Sequence, residues 1–238
     1  MGGQFLFYRD IVPLDRDRHR AMRLAIHPHK YRFAAASHVI PAVIDEFAAA
    51  AAHLPIIFVA GQDVPTACFL VGFRSGQNSI VSAGGRWRAA HVPAYLRRYP
   101  LMLGEVPDRE PIVCIDSHYV DAAGGEALFT RDGQETDFFL NQMRLLNEYF
   151  VSAKRDEVLS RLLVEFDLLR PVTIEVTLDN AERVTVQGFF AVDANLLQAL
   201  PDEKLLELRR QGFLDAVYAH VHSLASVEHV RKFATGGL

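Results

Sequence analysis

The stretch "VTIEVTLDNAERVTVQGFFAVD", Val172 to Asp193, carries the strongest signal for how this chain folds. Apolar and polar residues alternate along both arms, the period-2 pattern of strands with one buried face. Asp179 and Asn180 sit near the middle, where a tight turn favours residues that tolerate unusual backbone angles. Two strands joined this closely run antiparallel. The pattern predicts a hairpin, and with it a sheet that is mainly antiparallel.

On the N-terminal side of the hairpin, residues 134–170 contain no glycine and no proline. Phe139, Met143, Leu146 and Phe150 form one apolar stripe at helical spacing. Val158, Leu159, Leu162, Leu163 and Phe166 form another. The polar "SAKRDE" between them reads either as a break or as the exposed turn of one long helix. On the C-terminal side, Pro201 opens "PDEKLLELRRQG". Asp202 and Glu203 suit the first turn of a helix and Gly212 its C′ position. "FLDAVYAHVHSL" and "SVEHVRKFA" continue as helices, with Ser226 expected as an N-cap.

Ahead of residue 134 the pattern is mixed. "QFLFYRDIVPL" has strand composition. Pro41 suits a first helical position, with Ile44, Phe47, Ala48 and Ala51 at helical spacing and Pro55 as the stop. "PIIFVAG", "TACFLVGFR" and "NSIVSAGGRW" read as a strand meander. "VPAYLRRYP" reads as a short helix between prolines, and "EPIVCID" as a further strand ending at Asp116. The expected class is α+β: a mixed, mainly antiparallel sheet with packed helices and a helix-rich C-terminal third. Residues 1–133 are expected to form the sheet-containing core. Residues 134–238 are expected to form a helical region with the hairpin (about 171–193), packed on that core as one unit.

Composition narrows the function classes. The chain has 238 residues, 50% hydrophobic and 23% charged, which is ordinary for a globular protein. A net charge of −4 leaves no basic footprint for nucleic acid. Cys68 and Cys114 lie in apolar runs and read as small core residues, which favours a reducing compartment. No secretory signal is visible at the start, and Gly2 fails a myristoylation pattern because Leu6 stands where Ser or Thr is needed. The most apolar window, Phe47 to Gly61, is split by His53 and Pro55 and falls short of the roughly 20 residues of a spanning helix. The expectation is a soluble, cytoplasmic protein without a membrane span.

Arg97 and Arg98 are the most pointed feature. On a helix, neighbours project about 100° apart, so both cannot face the core. One is expected to point inward against a carboxylate (Asp116, Asp45 or Glu46), because an unpaired buried charge is costly. The other is expected to edge a cleft with Trp87, Tyr95 and Tyr99. Two readings stay open: an ion pair pinning a helix to the sheet, or a pocket for carboxylate or phosphate. His38 with Glu46 is a candidate acid–base pair, although eight residues on one helix would separate them.

Metal chemistry finds little support. "HPH" (His27, His29), "HVH" (His220, His222) and "DSHYVD" (Asp116, His118, Asp121) hold ligand types at short spacing. No third ligand accompanies them with confident geometry, and no metal is assigned. There is no nucleophile elbow and no Gly-rich phosphate loop. No cofactor is assigned, and the sequence leaves catalysis open.

Taken in order, several segments resemble the SapC-like family of bacterial proteins. They are "FYRDIVPLDRDRH", "HVIPAVIDEFAAAAAHLPIIF", "FLVGFRSGQNSIVSAGGRW", "VPAYLRRYPLML", "IDS…GEALF…DG" and "LRRQGFLDAVYAHVHSLASVEHV". The resemblance covers nearly the whole chain. It implies a role in surface-layer protein handling, or beside loci for TonB-dependent uptake and flavin-dependent halogenases, and it implies no particular chemistry. Three readings follow. The first is an accessory protein binding a peptide or a carboxylate-bearing ligand through Arg97, Arg98, Trp87, Tyr95, Asp116, His38 and Glu46. The second is an enzyme acting on a peptide or small acid near Arg97, Arg98, Asp116 and His38. The third is a structural subunit, with the helical third as a homodimer or complex interface.

Overall fold

The structure, a computed structural model, describes residues 5–25, 29–119 and 123–235. In chain order, β1 (Ile11–Pro13), β2 (Arg23–Leu24) and β3 (Val39–Pro41) precede α1 (Phe47–Ala50), β4 (Ile56–Val59) and β5 (Thr66–Leu70). Then come α2 (Ala94–Arg97), β6 (Leu101–Gly104), β7 (Ile112–Asp116), β8 (Glu126–Ala127) and α3 (Asp137–Glu165). The hairpin is β9 (Leu169–Thr177) with β10 (Arg183–Val192), and α4 (Ala194–Gln198), α5 (Asp202–Arg210), α6 (Leu214–Ser223) and α7 (Val227–Thr235) close the chain. The class is α+β, with every described strand pair antiparallel.

A five-stranded sheet has the order β3-β5-β4-β10-β9. The hairpin therefore extends a sheet begun more than a hundred residues earlier, through β10 against β4. Its register slips between Val186 and Phe189. Gly188 takes a φ of 88° in that slip, the left-handed angle a bulge uses and a Cβ resists. A three-stranded sheet, β1-β7-β6, lies apart from it, and β2 pairs with β8.

"SAKRDE" lies inside α3, so the two apolar stripes belong to one helix of 29 residues. Thr136 caps its start by accepting the Phe139 N–H. The stripes serve different cores. Phe139 and Leu146 pack with Leu101, Ile115 and Leu128 beside the smaller sheet. Leu159 and Leu163 pack with Phe58, Phe69 and Val217 beside the larger one. Residues on both sides of position 134 share each core.

Four local expectations give way to tertiary packing. The helix expected from Pro41 is only a 3-10 turn (Ile44–Glu46) running into α1. Pro41 instead ends edge strand β3 opposite Cys68, where a missing N–H is tolerated. "NSIVSAGGRW" forms a single bridge, Val81 to Trp87, because the Asn78 side chain accepts the Ile80 and Val81 N–H groups a ladder would need. Of the expected opening strand, Phe5–Asp10 is irregular and only Ile11–Pro13 pairs, Gln4 lying outside the described residues. Ser226 does not cap α7; its hydroxyl donates to the Ala51 carbonyl. Both cysteines are buried and free, and burial pushes the Cys68 thiol up to about 12. No helix among the described residues is long and apolar enough to cross a membrane.

Candidate ligand-binding cleft

Asp116, the last residue of β7, is fully buried. A buried carboxylate must be satisfied by donors. It accepts the backbone N–H groups of Arg9 and Asp10 at 3.3 Å each, that of His118 at 3.1 Å, and the Tyr99 hydroxyl at 3.2 Å. These bonds tie the segment before β1, the end of α2 and the turn after β7 into one corner. Phe7 in that segment has a φ of 75°, an angle unfavourable for a bulky residue. Its ring packs on Phe33 and Tyr95, with centroids 5.3 and 6.1 Å away.

The facing wall is the 3-10 helix Lys30–Ala34. It is held by a close backbone approach to Gly85, whose carbonyl accepts the Tyr31 N–H at 3.0 Å. Gly85 has a φ of 85°, and a Cβ there would lie 2.6 Å from the His29 carbonyl oxygen. Glycine is required on both counts. The stretch "SAGGRW" thus positions Lys30 and Phe33 rather than forming a strand.

Between these walls lies a cleft of about 690 Å³, within the range of small-molecule sites. Arg9, Lys30, Phe33, Tyr99, Asp116 and His118 line it, with Tyr8, Leu96 and Tyr119 among the rest. Phe33 and Tyr99 stack at 4.1 Å with an interplanar angle of 27°. Burial, and then the Asp116 charge, push the Tyr99 phenol well up, so it stays protonated and donates. Lys30 is half-buried, and burial followed by the Arg97 charge lowers its ammonium's pKa. Among the described residues, neither the Arg9 nor the Lys30 side chain pairs with a carboxylate. Asp116 is the carboxylate in the lining, and its oxygens already accept four donors.

The sequence-predicted residues divide sharply. Asp116 and Tyr99 line the cleft; Arg97, Arg98, Trp87, Tyr95, His38 and Glu46 do not. Arg98 is the inward arginine, 6% exposed, but no carboxylate among the described residues pairs with it. Its guanidinium carbon lies 4.1 Å from the Tyr149 ring centroid, 4.4 Å from Tyr95 and 5.7 Å from Tyr8. Aromatic faces take the place of the expected counter-charge. The carboxylate pairing falls to half-exposed Arg97, which reaches Glu46 at 3.4 Å. Glu46 is buried and takes the Ala94 N–H at 2.7 Å and His91 Nε2 at 3.1 Å on the same oxygen. Its histidine partner is His91, not His38. His38 lies beside Phe189 with centroids 6.4 Å apart, and burial lowers its pKa. Trp87 is buried and donates to the His91 carbonyl.

The SapC family model matches residues 14–230. The chain belongs to the SapC family. No curated protein and no solved structure matches it. Within this SapC protein the wall bearing Lys30 and Phe33, together with Tyr99 and Asp116, lies inside the matched span. The wall bearing Arg9 precedes it.

Sequence reasoning passed over Arg9, Lys30 and Phe33. Their signal was two tetrapeptides in which aromatic and basic residues interleave, "FYRD" (Phe7–Asp10) and "KYRF" (Lys30–Phe33). As for metals, no group of three or more His, Cys, Asp or Glu among the described residues could hold one. His27 and Asp121 lie outside the described residues. The cleft offers two cations, a stacked aromatic wall and a phenol, a set suited to a ligand with a flat apolar body and a negative end.

Proposed function

We propose that this SapC-family chain is a binding protein, an accessory to a bacterial uptake or surface-protein system. Its cleft takes a carboxylate-bearing ligand, the C-terminal end of a peptide included. One observation carries the reading. Arg9 and Lys30 line an aromatic cleft without a carboxylate of their own, while Asp116 is fully occupied by protein donors. The carboxylate end is recognised by charge-assisted hydrogen bonds and the apolar body by Phe33 and Tyr99. Calorimetric titration with benzoate and with short peptides, free or C-terminally amidated, tests it. The amidated peptides are expected to bind at least tenfold more weakly; equal binding would remove the carboxylate from the reading.

A second reading, pairing with another copy of this chain, is favoured by the outer face of α3. Leu140, Val151 and Val158 are spaced eleven and seven residues apart, so they fall on one face, and they are 46, 59 and 42% exposed. Sedimentation of the wild type against Val151→Glu decides it: a dimer that dissociates in the variant supports the pairing, and a wild-type monomer at all concentrations ends it.

A further inference from the structure

Lys30 differs from the chain's other lysines in ways that bear on chemistry rather than on binding alone. Lys154 sits at the surface in an ion pair with Glu105, which raises its pKa. Lys204 lies over the Phe166 ring. Lys30 is half-buried in a cleft wall, with its amine 5.6 Å from the Tyr31 ring centroid and Arg9 lining the same cleft. We propose that the Lys30 amine is a nucleophile that captures the carbonyl of a 2-oxo carboxylate in the cleft as an imine. This rests on the carboxylate reading of the cleft and adds a covalent step to it.

The environment favours such a step on three grounds. First, burial and the nearby Arg97 charge both disfavour the ammonium form, so more of the amine is neutral at a given pH. Each unit of lowered pKa raises the neutral fraction about tenfold well below the pKa. Second, Arg9 supplies a cation for the carboxylate, which would hold the adjacent carbonyl within the cleft. Third, the stacked Phe33–Tyr99 pair gives the captured molecule an apolar surface to lie against in the same cleft. The balance is simple. The nitrogen lone pair forms the C–N bond, the carbonyl oxygen leaves as water with both amine hydrogens, and a C=N bond remains. No oxidant, reductant or metal is required.

The test uses the full chain with glyoxylate and cyanoborohydride, followed by peptide mass spectrometry. Reduction fixes an imine as a stable carboxymethyl adduct. The adduct is expected on Lys30 at least tenfold over Lys154, Lys204 and Lys232, and at none of them in excess in Lys30→Arg. Arg9→Ala or added benzoate is expected to slow capture about tenfold. If acetic anhydride labels Lys30 no faster than the other three lysines at pH 8, the inference falls, whatever benzoate binding shows. If Lys30 labels fast but neither Arg9→Ala nor benzoate slows glyoxylate, the activated amine stands and the carboxylate reading of the cleft is overturned.

Discussion

Arg98 and Arg9 approach the same residue from different regions. Tyr8 lies 5.7 Å from the Arg98 guanidinium on one side, and it lines the cleft with Arg9 on the other. Around Arg98 the aromatic faces close: Tyr95 and Tyr149 stand within 4.4 Å, and solvent is nearly excluded. Around Arg9 they stay open to water, and the side chain is exposed. Both places combine cations with tyrosines, so composition cannot separate them. What separates them is whether the cation's partners come from the protein. Arg98 has its π faces already and is structural. Among the described residues Arg9 has no such face and Lys30 only the Tyr31 ring, 5.6 Å away, and neither has a carboxylate partner.

The sharpest way to break this comparison is Arg98→Ala. The variant removes three cation–π contacts, each able to reach about 2 kcal/mol when desolvated, and leaves a cavity between α2 and α3. A loss of about 3 kcal/mol is expected in urea unfolding, and Arg98→Lys, which keeps the charge but not the flat guanidinium, should lose about half of that. A cost below about 0.5 kcal/mol for Arg98→Ala, the usual surface value, would show that the closed cluster is not structural.

This contrast also marks where the sequence stopped being legible. The hairpin, α3 and the last three helices are local, with their periodicity inside each segment: the hairpin expected over about 171–193 spans 169–192, and the stretch 134–170, where a break at "SAKRDE" stayed open, holds the single helix 137–165. The shortened helix at Pro41 and the lost strand at Asn78 could not, because a sheet edge and one side-chain amide decided them. The site was legible only in Asp116 and Tyr99. That one of two adjacent arginines points inward follows from helix geometry alone, but that it is Arg98 did not. Its partners did not follow: Tyr8 and Tyr149 are far away in sequence, and nothing local distinguishes a tyrosine face from a carboxylate as the answer to a buried charge. Arg9 comes to line the same cleft as Lys30 through the bonds from Asp116 to the backbone of residues 9 and 10, which no local pattern encodes.

A second prediction probes the closed region through pH. Asp156 reaches it from α3, accepting the Ile44 N–H at 2.7 Å. Burial foremost, with Asp45 and Glu46 adding to it, pushes its carboxyl up to about 8. The folded state therefore holds a proton that the unfolded chain releases near 3.8. The stability this group contributes is full below 3.8 and is lost as pH rises toward 8. Asp156→Asn keeps an oxygen for Ile44 and has no proton to lose. At pH 8.5 the variant is expected to be more stable than the wild type by about 2 kcal/mol, and at pH 3.5 equal to it within about 0.5 kcal/mol. His220 works in the opposite direction: burial pushes it down to about 4, so it costs stability as pH falls from 6.5 toward 4. That term is common to both proteins and cancels in their difference. A variant no more stable at pH 8.5 than at pH 3.5, relative to wild type, would show Asp156 to be ionised in the fold.

The smallest expected effect on stability, and the most telling for function, belongs to Arg9→Ala. Arg9 contributes its backbone N–H to Asp116, and alanine keeps that bond. Its exposed side chain has no carboxylate partner among the described residues, so the unfolding midpoint should move by less than about 0.5 kcal/mol. Benzoate affinity should fall about tenfold, or about 1.4 kcal/mol, because a charge-assisted contact is lost at a partly desolvated site. The two readouts must separate. If Arg9→Ala destabilises the chain as Arg98→Ala does, the open wall is packing of the same kind as the closed one. If stability and benzoate affinity both stay put, Arg9 is a surface charge and the anionic end of the ligand must be sought at Lys30 alone. Only lost affinity with stability intact sets the two arginines apart as the geometry does: one held by the protein, the other available to a ligand.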